Sequence, residues 1–166
     1  MMEWILLLEK SIWFGLAALG FGVLFSVPTR TMAAIYLMGA AGGLTKVVSM
    51  HLGLGIVMGT LAGAAVIGLL SIPAAHKRHA PPPVFAIPAV IPMVPGILAY
   101  RMMLGVIKLA GTVQPDTYTQ VLSETVNNGL KVLFILMCLA GGVAIPMLIT
   151  RKDSAKHIRF HTLIKD

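Results

Sequence analysis

Glu124, Asn127, Asn128 and Lys131 stand at i, i+3, i+4 and i+7, a spacing that aligns four polar side chains along one face of a helix. The segment that follows is almost wholly apolar. A polar stripe leading into such a segment normally faces a bundle interior or a water-filled path, because hydrocarbon penalises ionisable groups. Glu124 is the acidic group of the stripe and the one able to take up a proton. The competing reading is an internal Glu124 to Lys131 ion pair at a solvated helix start, with Asn127 and Asn128 binding helices together. Arg101 offers a second chemistry. Its planar guanidinium matches a carboxylate in fork geometry, and it follows Gly96 by five residues, about 8 Å along a helix. Alternatively Arg101 snorkels to the outer surface together with Lys108.

Between residues 81 and 95 stand six of the ten prolines in the chain: Pro81, Pro82, Pro83, Pro88, Pro92 and Pro95. Each removes a backbone donor and disfavours the helical turn before it. Broken backbone at membrane depth survives where protein or a wet cavity surrounds it, and interrupted helices there build substrate sites in many transporters. Pro95 suits the first position of a new helix and Gly96 allows close approach. A helix starting at Gly96 therefore presents free N–H groups and a positive dipole end to the gap, where a carboxylate is the natural occupant. A dry, proline-kinked helix packed on its neighbours is the alternative.

The elements that must position these groups follow from composition. Hydrophobic residues make up 57% of the 166 positions and charged residues 11%, against about 25% charged in soluble domains. The chain therefore reads as an all-α integral membrane protein with about five spans, near residues 5–25, 32–50, 54–75, 84–109 and 126–149, the fourth interrupted by prolines. Residues 1–150 form the transmembrane domain and 151–166 a basic cytoplasmic tail, with Ile158, Leu163 and Ile164 suited to the inner leaflet. In the second span 15 uncharged residues separate Arg30 from Lys46, about 22 Å, so flanking side chains snorkel or the bilayer thins. In the third span Gly55, Gly59 and Gly63 recur every four residues, a helix-packing seam.

Arg30, Lys77, Arg78, Arg151, Lys152, Lys156, Arg159 and Lys165 fall on one side, and Lys10, Lys46, Lys108 and Lys131 on the other. That bias places the C-terminus in the cytoplasm and the N-terminus outside. The N-terminal run lacks a basic leader region, so the first span is read as retained. The net charge of +7 gathers at the carboxyl end, which fits a membrane face better than nucleic acid. Cys138 lies among apolar neighbours and reads as a buried thiol. The pairs His76, His79 and His157, His161 lack a third ligand at metal spacing and read as interfacial histidines. No hydrolase triad, phosphate loop or metal motif is present in the sequence, so no enzyme chemistry and no cofactor is expected.

Three stretches, Phe25-Ser-Val-Pro-Thr-Arg30, Val84-Phe-Ala-Ile-Pro-Ala-Val-Ile-Pro-Met-Val-Pro-Gly-Ile-Leu-Ala-Tyr100 and Gly141-Gly-Val-Ala-Ile-Pro146, resemble the threonine/serine exporter family in its small, YjjB-like subunit. The resemblance implies a five-span half of a pseudo-symmetric, inverted-repeat secondary transporter. Its partner is a larger YjjP-like membrane subunit with a soluble domain. Together the two export threonine and serine, or dicarboxylates such as succinate, across the bacterial inner membrane. By position it implicates Pro92, Pro95, Gly96, Tyr100 and Asn128 in substrate binding. Arg101 and Lys131 stand where the family pattern carries small polar residues, and are expected to mark this member's own preference. A non-transporting scaffold subunit of a larger complex is the competing expectation.

Overall fold

The computed structural model describes residues 2–111 and 115–150, with side-chain surroundings from residue 5 onward. The tail at 151–166, with His157 and His161, lies outside the described residues. Among them the structure is helical, with no strand. Helix α1 covers Met2–Leu24, α2 Met32–His51, α3 Gly55–Arg78, α4 Pro82–Val90, α5 Gly96–Ala110 and α6 Pro115–Thr150. Short 3-10 turns at Thr29–Thr31 and Ile91–Met93 precede α2 and follow α4.

The connections end helices in physically recognisable ways. After α1, Ser26 takes a left-handed conformation (φ 53°) and the Val27 N–H returns to the Gly22 carbonyl, so the last turn is satisfied before Pro28. His79 plays the same part after α3 (φ 51°), with the Ala80 N–H on the Ala75 carbonyl and Pro81 next. The third helix thus continues through His76, Lys77 and Arg78 rather than ending near residue 75. His76 Nδ1 lies 2.8 Å from the Ile72 carbonyl of its own helix.

Helix α6 is 36 residues long, about 54 Å, and starts eleven residues before the expected Val126. Pro115 suits a helix N-terminus and Asp116 complements its positive end, so residues ahead of the expected fifth span join the helix.

Close glycine contacts fix the packing. Gly39 faces Ala18, Gly42 faces Ile67 and Gly63, and Gly68 faces the backbone of Gly142 and Val143. These contacts run antiparallel for α1 with α2 and α2 with α3, and parallel for α3 with α6. Of the predicted seam, Gly59 and Gly63 do pack on α2, against Lys46, Met50 and Gly42. Gly55 does not join them. It is exposed, has open space where a Cβ would stand, and holds φ at 75° to start the helix. Gly55→Ala should therefore cost about 1 kcal/mol through backbone strain alone, read as a small loss of thermal stability with function intact.

Helix α4 is the buried centre, resting on α1, α2 and α3 with Phe85, Ala86 and Ala89 at 0–1% exposure. Helix α5 leaves that centre at an angle of 57° and packs chiefly on α6. The two halves form one crossing. Pro81, Pro82 and Pro83 line a cavity with Ala144, Met147, Leu148 and Thr150 at the end of α6, whereas Lys108 on α5 lies beside Val121 near its start. The path from α4 through α5 thus runs antiparallel along α6 from end to end. Beside the four continuous helices long and apolar enough to cross a membrane, the bent pair counted as one span brings the number up to five. The turn holding Arg30, the turn after Arg78 and the end of α6 share one face, and the α2–α3 and α5–α6 turns share the other.

Candidate functional site

The break falls where the prolines lead it to fall. Pro88 is tolerated inside α4, Pro92 tightens the Ile91–Met93 turn, and Val94 and Pro95 leave helical geometry (ψ 134° and 63°) before Gly96 restarts it. Met93 touches the position a Gly63 side chain would take. Gly63 lies eight residues after the start of α3 and fifteen before Arg78, about 12 Å and 22 Å along the helix. The interruption is therefore deep within the span.

Four carbonyls around it, those of Ile91, Met93, Val94 and Pro95, have partners within the protein. Ile91 O accepts from Val94 N at 3.0 Å, Val94 O from Gly96 N at 2.9 Å and Pro95 O from Ala99 N at 3.0 Å. The Met93 carbonyl, which a continuous helix would pair with its own backbone, accepts instead from Lys46 Nζ at 3.0 Å in a buried contact. Lys46 is 8% exposed. Its ammonium is held inside the protein rather than snorkelling to the surface. Sequence reasoning missed its role, although the short uncharged core of the second span was the available signal.

A groove of about 440 Å3 opens between α5 and α6, lined by Arg101, Leu104, Gly105, Lys108, Val121, Glu124, Thr125, Asn127 and Asn128. The two polar constellations, more than twenty residues apart in the chain, thus meet on one surface. Gly105 makes this possible. A Cβ there would collide with the Thr125 hydroxyl, which donates to the Val121 carbonyl at 2.6 Å. Thr125 and Gly105 are site residues that the i, i+3, i+4 pattern passes over, because they lie on the seam between the helices. The Glu124 carboxylate accepts from Gln120 Nε2 at 3.2 Å, one turn back.

The remaining sequence candidates fall elsewhere. Lys131 is exposed on α6, outside the groove lining. Pro92 is half-buried and Pro95 buried at the break, while Gly96 is exposed with open space where a Cβ would stand, and Tyr100 is 63% exposed. Cys138 is a partly buried free thiol. Chemically, the groove sets two cations, one carboxylate and two amides around a space that fits a small zwitterion or acid.

The family profile described as Threonine/Serine exporter, ThrE, matches residues 10–149. An uncharacterized protein of Haemophilus influenzae is 30% identical over 144 residues, covering 86% of this chain and 47% of that protein. The chain thus spans about half the length of this curated relative. No solved structure matches it. With the match running from the first helix through the last, the chain belongs to the threonine/serine exporter family.

Proposed function

We propose that the chain is one half of a secondary transporter that exports a small carboxylate-bearing metabolite, threonine and serine or a dicarboxylate such as succinate, across the inner membrane. The observation that carries this reading is the groove, where Arg101 and Lys108 from α5 face Glu124, Asn127 and Asn128 from α6. Arg101 receives the carboxylate and the two asparagines orient the polar remainder of the solute. Glu124, the acidic member, exchanges a proton with the outer face and so couples export to the proton gradient.

A partner supplies the other half. The relative's extra length supports this, and so does α5, which carries Ile97, Tyr100, Met103 and Ile107 at 58–71% exposure on the side away from α6. That partner is a larger YjjP-like subunit with a soluble domain, related to this chain as an inverted repeat. An odd number of crossings, with the bent pair counted as one, agrees with such a pairing, and the excess of Lys and Arg supports a cytoplasmic C-terminal face.

Efflux of labelled threonine, serine and succinate from preloaded cells, with and without the chain, tests the reading. Removing the chain should slow efflux of at least one of the three. Asn128→Ala should lower it about fivefold, the worth of one hydrogen bond of about 1 kcal/mol. In a third arm, Glu124→Gln should make the remaining efflux indifferent to an uncoupler. Efflux unchanged by loss of the chain would assign it to scaffolding instead.

A further inference from the structure

Among the described residues Lys46 is a cation without a counter-ion. Of the six acidic residues in the sequence, none lies on α2, α3, α4 or α5, and Glu9 on the adjoining α1 is exposed. The hydrogen bond that Lys46 makes among the described residues goes to the neutral Met93 carbonyl. An ammonium carries three donors. A carbonyl dipole engages one of them and leaves the net charge uncompensated within the span, an arrangement whose cost is retained where the charge meets a solute or ion.

The surroundings are built for this side chain. Gly63 and Gly42 bring α3 and α2 so close that a Cβ at Gly63 would stand 2.6 Å from the Gly42 carbonyl oxygen and 3.3 Å from Lys46 Cβ. That crossing aims Lys46 at the interruption rather than at lipid. Beyond the interruption, α5 leads to Arg101, about 8 Å further along its axis. One cation thus stands at the broken backbone and another in the groove that opens to the face.

Resting on the exporter reading, we propose that Lys46 is the carboxylate-binding cation at the centre of the translocation path. The Met93 carbonyl holds its ammonium between cycles, and the carboxylate of the solute takes that place when the solute passes from Arg101 to the break. Exchange of a neutral acceptor for an anion frees the Met93 carbonyl and loosens the joint between α4 and α5. Binding at this point and release of the broken helix are then the same event.

The test compares ligands that differ in the carboxylate alone. In membrane vesicles from the source organism, with the chain deleted and restored as wild type or variant, labelled threonine transport is competed by threonine and by threonine amide. The wild type should prefer the acid by about tenfold or more, the scale of a charge-assisted hydrogen bond. Lys46→Gln should abolish that preference and Lys46→Arg should keep most of it. A Lys46→Gln protein that transports more slowly but prefers the acid as strongly as wild type would reduce Lys46 to a structural plug and overturn the proposal. Thermal protection of the detergent-purified chain, with any companion that copurifies, gives a second readout independent of transport. Millimolar threonine or succinate should raise the melting temperature of the wild type and leave Lys46→Gln unmoved, while equal protection of both also overturns it. Vesicles without any chain-dependent transport, beside a purified wild type that is still protected, would remove the exporter reading and leave the binding site standing.

Discussion

Arg101→Ala is expected to lower export about thirtyfold, chiefly by raising the solute concentration needed for half-maximal transport. The size follows from losing a bidentate contact to a carboxylate, about 2 kcal/mol. Folding should be untouched. Arg101 is exposed on α5, and alanine is at least as good a helix former as arginine. Arg101→Lys keeps the charge without the fork and should fall between the two, because a point charge orients a carboxylate less strictly. Efflux of labelled threonine or succinate across a concentration series separates a change in apparent affinity from a change in maximal rate. Wild-type kinetics in Arg101→Ala would mean that the guanidinium snorkels to the surface and that the groove is not the site.

Gly63→Leu should have the larger effect on the fold. Even a methyl group at this position would meet Met93 Cε and press on the Gly42 carbonyl oxygen, and a methyl at Gly42 would come within 2.5 Å of Ile67. Neither side can yield without separating α2 from α3. Overpacking by a methylene or two costs about 1–3 kcal/mol in well-packed interiors, so an isobutyl group here should cost about 3 kcal/mol or more. Helix association in lipid rests on such close packing. Low yield, early thermal unfolding in detergent and rapid trypsin cleavage are the expected results. Gly20→Leu is the control, since no atom of a neighbouring helix lies within 4 Å of the Cβ it would add and its stability should match wild type.

The interruption of the fourth span was legible because proline acts locally. It lacks the donor a helix needs wherever it stands, so Pro92 and Pro95 mark the break without knowledge of neighbours. The face shared by Glu124, Asn127 and Asn128 was legible for a similar reason, since helical spacing is a local property. Their meeting with Arg101 was not, because it depends on Gly105 admitting Thr125 across the helix pair. Gly55 shows the limit of periodicity. Its spacing from Gly59 and Gly63 suits a seam, yet its backbone conformation belongs to a turn. Lys46 was the hardest residue to read. A lysine one turn from the end of a span looks the same whether it reaches for solvent or for a carbonyl 47 residues onward, and only the tertiary fold decides. The early start of α6 escaped notice because a hydropathy pattern reports what lies in lipid, and a helix can continue past it.

The fourth crossing also has a mechanical asymmetry. Its first half is clasped by three neighbours and its second half leans on one, so a push on the arm made of α5 and the leading turns of α6 has few places to be absorbed. The bend between the two halves falls at Val94 and Pro95. The joint between the clasped half and the leaning half thus lies beside the carbonyl gripped by Lys46, which makes that hydrogen bond the tie nearest the bend.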